Sequence, residues 1–337
     1  MMRTNKLLNA LRNYIETYLP DTKGLSNNTI KSYKATFRLL FEFFKVVYKL
    51  EPDQISFSSL DYDHLNAFLL WLESNRNDSA STRNQRLSAL SSFSKYAQSR
   101  NFDAAVIFRN AVLSLPVKKA PVKMRQVMTR EEVKIFLSLP DVNKPTERRN
   151  KVLLSFMYST AARAQEVCDL TTTDISIRNG KYYVTLHGKG RKARIVPINK
   201  KMYKLLLQHI KTKPRQYRNS KYIFNSQTNE QMSVSAIEEI FKKYQKMAKD
   251  KYSDMFNGNY TPHTMRHTAA THMLESGVSI PVIRSILGHS SIETTMIYAR
   301  VNQAMVDKKV KEWNEEHFAI EPEANPKEIK DDLDFLK

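Results

Sequence analysis

The chain has 337 residues, 41% of them apolar, and a formal charge of +20. That length and apolar content suffice for two domains with cores of their own, and the charge points to a polyanionic partner, most often nucleic acid. A single cysteine, Cys168, excludes an intrachain disulfide and a thiolate metal cluster. No signal peptide or long apolar run is present, so the expected location is cytoplasmic. The charge is uneven: residues 312–337 carry nine acids and three bases, which leaves +26 on residues 1–311. Glycine is scarce, at seven, so the chain should be mostly helical, and each glycine should mark a forced backbone position.

In chain order, residues 1–20 predict a first helix ending at Pro20. Asn27 and Asn28 offer caps for a second helix, with Ile30, Tyr33, Phe37, Leu40, Phe41, Phe44 and Val47 inward at a period near 3.6. A third helix starts near Asp61 and buries Leu65, Phe68, Leu69 and Leu72. A fourth starts near Ser81 with Leu87, Leu90, Phe93 and Tyr96 inward, and with Arg83, Arg86 and Lys95 on other faces. A short fifth helix is expected over 103–113. Residues 1–115 thus form a compact helical domain. Residues 116–128 read as a basic, extended linker containing Lys118, Lys119, Lys123 and Arg125.

A second domain, 129–318, opens on a capping box, Thr129 with Glu132. Two helices follow, the second from about Thr146, and Arg163 lies at a helix–turn–helix junction with Glu166 one turn on. Ile175 to Val196 changes to a period of two and predicts short strands. Gly180 makes one turn, and Gly188-Lys189-Gly190-Arg191-Lys192-Ala193-Arg194 makes a basic hairpin tip. Helices resume at Asn199 and about Ser233. A helix opening at Thr261-Pro262 carries His263, Arg266, His267 and His272 and ends at Gly277. A short helix from Ile280 closes at Gly288, just before His289. Tyr298 lies nine residues further on. A last helix, Asn302 to Phe318, precedes an acidic tail, 319–337.

Imidazoles and guanidiniums gathered near a phenol suit phosphoryl chemistry. Arginine grips phosphate oxygens bidentately, imidazole moves protons, and a tyrosine oxygen can act as a covalent nucleophile. Zinc is the competing reading, because His263 and His267 are four apart on one helix face. There is no H-E-x-x-H and no cysteine pair, however, and Arg266 would repel a cation.

Four segments together resemble the tyrosine recombinase (phage integrase-like) family, in order and in spacing. They are Ala161 to Glu166, Gly188 to Arg194, His263 to His267, and Leu287-Gly288-His289 followed by Tyr298. The resemblance is close over 129–300, and the helical first domain is similar in size and position to the family's core-binding domain. It implies a mainly α fold with a small antiparallel β-sheet in the catalytic domain, the two domains forming a C-shaped clamp on DNA. It also implies a site-specific recombinase working through a 3′-phosphotyrosyl intermediate. Tyr298 would be the nucleophile, Arg163 and Arg266 would hold the non-bridging oxygens, and Lys189 would protonate the leaving 5′-oxygen. His263 and His289 would assist, with Glu166 bracing Arg163 and His267 supporting. No cofactor or metal is required. Arg83, Arg86, Lys118, Lys119, Lys123, Arg125, Arg191, Lys192 and Arg194 are the expected DNA-binding residues. The implied partners are double-stranded DNA bearing recombination sites, a homotetramer at synapsis docked through Asn302–Phe318, and an accessory directionality factor.

One departure stands out. The family has Thr-Gly where this chain has Thr160-Ala161, and alanine does not readily adopt positive φ, so the turn before Arg163 should be tightened differently. Residues 1–20 are too short for an additional arm-binding domain, which favours integration/excision or transposition of a mobile element by a simple recombinase. The alternatives are chromosome or plasmid dimer resolution, a type IB topoisomerase-like enzyme, and a non-catalytic DNA-binding regulator.

Overall fold

The structure, a computed structural model, describes residues 5–120, 126–188 and 192–289, together with Thr295, Lys311, Glu312, Asn314 and Glu315. The chain divides into two compact units, Met1–Lys123 and Met124–Lys337.

The first unit is all helical: α1 (Lys6–Asn13), α2 (Asn27–Tyr48), α3 (Tyr62–Arg76), α4 (Ala80–Arg100) and α5 (Phe102–Ser114). Its core is aromatic, with Tyr14, Phe37, Phe43, Phe44, Phe57, Phe68, Phe93 and Phe108 all buried. Tyr14 packs against Phe93 with ring centroids 5.2 Å apart, and its hydroxyl is 2.7 Å from Ser92 Oγ, so the ring's polar end is satisfied. The helix expected to stop at Pro20 does not stop there. After Asn13 the chain winds on as a π-helix from Tyr14 to Thr22 with Pro20 inside it. Proline has no N–H to lose, and the wider turn gives its ring room against the preceding turn. The cap of α2 is Ser26, not Asn27 or Asn28. Val47 is 46% exposed, and Leu39 and Phe43 take the inward positions instead.

Arg83 is not on an outer face of α4; it is 1% exposed. Its Nη1 donates to the Pro116 carbonyl at 2.7 Å, and Asn84 brackets the backbone of Lys118 from both sides. The first residues of the expected linker are therefore strapped along α4. A buried guanidinium needs an acceptor, and the chain following α5 supplies one to Arg83 through the Pro116 carbonyl.

The second unit contains α6 (Arg130–Ser138), α7 (Pro145–Thr160), α8 (Ala164–Cys168), β1 (Ile175–Arg178), β2 (Lys181–His187), β3 (Ala193–Ile198), α9 (Lys200–Lys211), α10 (Val234–Lys251), α11 (Pro262–Glu275) and α12 (Ile280–Leu287). The strands form one antiparallel sheet, ordered β1-β2-β3. Asn179 and Gly180 both have positive φ, 48° and 70°. That is the type I′ geometry that matches strand twist in a two-residue hairpin. Val184 pairs with Val196 and Leu186 with Arg194. Val184, Leu186, Val196 and Ile198 are buried on one face of the sheet, within the core that holds Phe136, Phe156, Phe224, Phe241 and Tyr244. The capping box expected at Thr129 is present, and Met128, just before it, is fully buried with its N–H donating to Thr268 Oγ1. Cys168 is buried, which raises its thiol to about 12 and leaves it unreactive at neutral pH.

His209 is 7% exposed and stacks on Phe224, with Nε2 3.1 Å from the Ile223 carbonyl. Burial first of all, with the charges of Lys213 and Arg149 adding to it, lowers it to about 4, against a smaller opposing effect of the Ile223 hydrogen bond. In the unfolded chain the same ring binds a proton near 6.5. Its contribution is therefore present above pH 6.5 and is lost as pH falls toward 4. The unit should lose up to about 3 kcal/mol over that window. Urea unfolding from pH 7 to pH 4 should show this slope, and His209→Phe should flatten it.

Candidate active site

The site is built around one carboxylate. Glu166 is 3% exposed, at the third position of α8, and α8 is capped by Arg163. One Glu166 oxygen accepts from the Arg163 backbone N–H at 2.8 Å, and the other accepts from Arg163 Nη1, also at 2.8 Å. Arg194, on β3, grips both oxygens with Nη1 and Nη2 at 2.7 Å each. A third guanidinium, that of Arg266 on α11, has Nη1 3.9 Å from Glu166 Oε2. Burial acts to raise the Glu166 carboxyl. The hydrogen bonds and charge of Arg194, followed by those of Arg163, outweigh it, and the net shift is downward. Among the described residues three guanidiniums meet this one carboxylate, an arrangement that suits a bound phosphate.

The turn that delivers Arg163 is strained. Ala161 ends α7 with φ 51° and ψ 31°, in the left-handed region, so the backbone turns there as a glycine would. The expectation that alanine would force a different turn is overturned. Ala161 is fully buried beside Ala269, Ala270, Ile283 and Leu287, and its carbonyl accepts from Arg266 Nη1 at 2.7 Å. Packing and that hydrogen bond hold a conformation that costs alanine about 1–2 kcal/mol.

Arg266 is 3% exposed. It also donates from Nη2 to the Leu287 carbonyl, and the same nitrogen lies 3.3 Å from His289 Nε2. A guanidinium only donates, so in the neutral ring Nε2 accepts. The proton then sits on Nδ1, 3.0 Å from Thr295 Oγ1. Gly288 closes α12 with φ 62°, turning the chain so that His289 follows directly. His263 is exposed near the start of α11 and stacks at 6.1 Å on half-buried His267.

The phage integrase family model matches residues 126–305, and the model of the phage integrase N-terminal SAM-like domain matches residues 11–101. The chain is 30% identical over 305 residues to a putative integrase/recombinase, y4rC, of Sinorhizobium fredii, spanning 90% of this chain and 91% of that protein. It is 28% identical over 303 residues to tyrosine recombinase XerC of Chlamydia caviae, spanning 86% and 93%. The chain belongs to the phage integrase family. It is a tyrosine recombinase, an enzyme that cuts and rejoins DNA strands in site-specific recombination. The fold agrees with that of the Tn1549 transposon integrase solved with circular intermediate DNA, with TM-score 0.66, 17% identity and coverage of 87% and 94%. It agrees too with that of XerH recombinase bound to a palindromic difH substrate, with TM-score 0.68, 18% identity and coverage of 92% and 88%. No described helix is long and apolar enough to cross a membrane.

In this recombinase, Arg163, Glu166, Arg266 and His289 come together, with Gly188 at the foot of the hairpin. A β-carbon on Gly188 would stand 3.5 Å from Glu166 Oε1 and 3.9 Å from Arg163 Nη1, ordinary contact distances that place the foot of the hairpin beside the carboxylate. Tyr298, Lys189, Lys123, Arg125 and Arg191 lie outside the described residues, as do the acidic tail and most of the helix expected at Asn302–Phe318. Lys192 and Lys119 are exposed, and Lys118 pairs with Glu73 at 2.7 Å. Arg86 is turned inward toward α2, Nη1 lying 3.3 Å from Thr36 Oγ1, which leaves 18% of its side chain exposed. Two residues expected on the DNA surface are not there: Arg83, described above, and Arg194, whose side chain is 10% exposed. Strand alternation holds the signal for Arg194, because it is two residues from Val196 and therefore shares its inward face. His272 is buried against the Tyr158 hydroxyl at 2.9 Å, a packing role.

The strained turn yields a prediction. Ala161→Val puts a β-branched side chain at positive φ in a filled core and should cost about 2 kcal/mol or more. Ala161→Gly relieves the strain but loses a buried methyl and loosens the unfolded chain, so it should stay within about 1 kcal/mol of the parent. Urea midpoints of the three proteins check both.

Proposed function

We propose that Arg163 and Arg266 hold the non-bridging oxygens of a scissile DNA phosphodiester while Tyr298 attacks the phosphorus. This step joins a 3′-phosphate to the phenolic oxygen and releases a 5′-hydroxyl. Lys189 delivers the proton to that leaving oxygen. His263 and His289 bond the phosphate and move the phenolic proton, and Glu166 holds Arg163 in place with His267 behind His263. The observation that carries the reading is the convergence of two motif arginines, from the α7–α8 turn and α11, on one buried carboxylate, with a motif histidine from the end of α12 against the second arginine. Such a cluster stabilises charge developing on an in-line phosphoryl group through fixed donors. The phosphotyrosyl bond conserves the energy of the broken diester, so an incoming 5′-hydroxyl can reseal the strand without ATP.

The first unit serves as the core-binding half and the second as the catalytic half, and the chain acts as a tetramer on paired sites. Lys118, Lys119 and Lys192, with Lys123, Arg125 and Arg191, supply phosphate contacts, which makes the affinity steeply salt dependent. The reaction serves integration/excision or transposition of a mobile element. Support comes from likeness to a putative integrase at 30% identity over nine-tenths of the chain. The second reading is chromosome or plasmid dimer resolution by the same chemistry.

The test is covalent capture on nicked duplexes of randomised sequence. The parent should leave a protein–DNA adduct on a denaturing gel. Tyr298→Phe should bind the same duplexes and leave none, and an adduct surviving that change would remove Tyr298 as the nucleophile. Sequencing the captured DNA then yields the preferred site.

A further inference from the structure

We infer that Arg194 is a positioning residue for the strand-cleavage reaction, acting through Glu166 and the end of α12 rather than by contacting DNA. This rests on the proposed assignment of Arg163 and Arg266 to the phosphate.

Three independent contacts converge on this one side chain. Its two terminal nitrogens each bond a different oxygen of Glu166, 2.7 Å apart in both cases. This fork fixes the plane of the carboxylate, as a single ammonium would not. Fixing that plane in turn fixes Arg163, whose backbone and side chain each bond one of the same two oxygens. Its third nitrogen, Nε, donates to the Ile286 carbonyl at the end of α12. The last carbonyls of a helix lack partners within the helix. Here the neighbouring one, on Leu287, is met by Arg266. Two arginines bound to adjacent carbonyls thus hold the end of α12, one residue before the glycine that turns the chain into His289.

The third contact is steric. A β-carbon at Gly288 would come within 3.0 Å of Arg194 Cδ and 3.3 Å of Nη1. The backbone of the Leu-Gly-His segment therefore lies directly on the Arg194 side chain. Arg194 is five residues after Lys189 in sequence and sits on the inward face of β3 with Val196 and Ile198. One buried guanidinium consequently ties the hairpin strand, the arginine that caps α8 and the histidine segment after α12 to a common frame. All three of its guanidinium nitrogens donate to protein acceptors, two to Glu166 and one to the Ile286 carbonyl.

The experiment uses the full chain and the randomised nicked-duplex pool, measuring single-turnover adduct formation, equilibrium binding and its salt dependence. Arg194→Lys keeps the charge and loses the fork and the Nε bond. Cleavage should slow about 10- to 100-fold, while affinity stays within about threefold and the salt slope is unchanged. In a Glu166→Gln background, where the fork has no carboxylate to hold, the same substitution should cost less than about threefold further, because linked residues are non-additive. If Arg194→Lys does not fold, as judged by urea unfolding, the pair Arg194→Gln with Glu166→Gln is compared with Glu166→Gln alone in the same way. A wild-type cleavage rate, a weaker affinity with a shallower salt slope, or losses that multiply in the double variant would each overturn the inference. Arg163→Lys is run in parallel. If it cleaves normally, the phosphate-clamp reading itself falls; if it is inactive while Arg194→Lys is not impaired, only the role of Arg194 falls.

Discussion

The buried carboxylate of Glu166 is the constraint on which the second unit's chemistry depends. Three guanidiniums from α8, β3 and α11 would repel one another at this distance without it. Breaking a buried ion pair by removing one partner costs about 3–5 kcal/mol, because the remaining charges are left uncompensated. Among the described residues the group carries three guanidiniums to one carboxylate. The arrangement stabilises its own arginines and gathers guanidiniums of a kind that suits a DNA phosphate.

Around this charge cluster, site residues stand where helices end. Arg163 follows the end of α7, and His289 follows the end of α12. Helix ends leave carbonyls without partners, and in this enzyme the arginines supply the missing donors: Arg266 to Ala161 and Leu287, and Arg194 to Ile286. The groups that complete the backbone therefore also bind the carboxylate or stand beside the histidine. Substituting them disturbs packing and chemistry together, which is why separating the two roles requires rates and affinities rather than activity alone.

Local signals were strong wherever one element's own pattern decided the outcome. Helix periodicity located α3 and α10, and the Thr129–Glu132 pair located the start of α6. Gly180 marked the first hairpin, and Gly277 and Gly288 marked the ends of α11 and α12. The signals failed where a distant segment intervened. Pro20 looked like a stop, yet a π-helical turn carries the chain through it. Ala161 looked unable to take a left-handed turn, yet a bond from Arg266, more than a hundred residues away, and a closed core hold it there.

The basic residues show the same division most clearly. Composition and charge determined that the partner is a polyanion, and the ordered motifs around Arg163, Arg266 and His289 determined the kind of chemistry. Neither could sort arginines that face water from those that do not. Arg83 and Arg194 read as surface charge in a basic chain. Only the tertiary structure places Arg83 against the Pro116 carbonyl and Arg194 between Glu166 and α12. The reason is physical: a buried guanidinium needs acceptors, and the decisive ones for Arg83 and Arg194 come from segments 28 to 92 residues away in sequence.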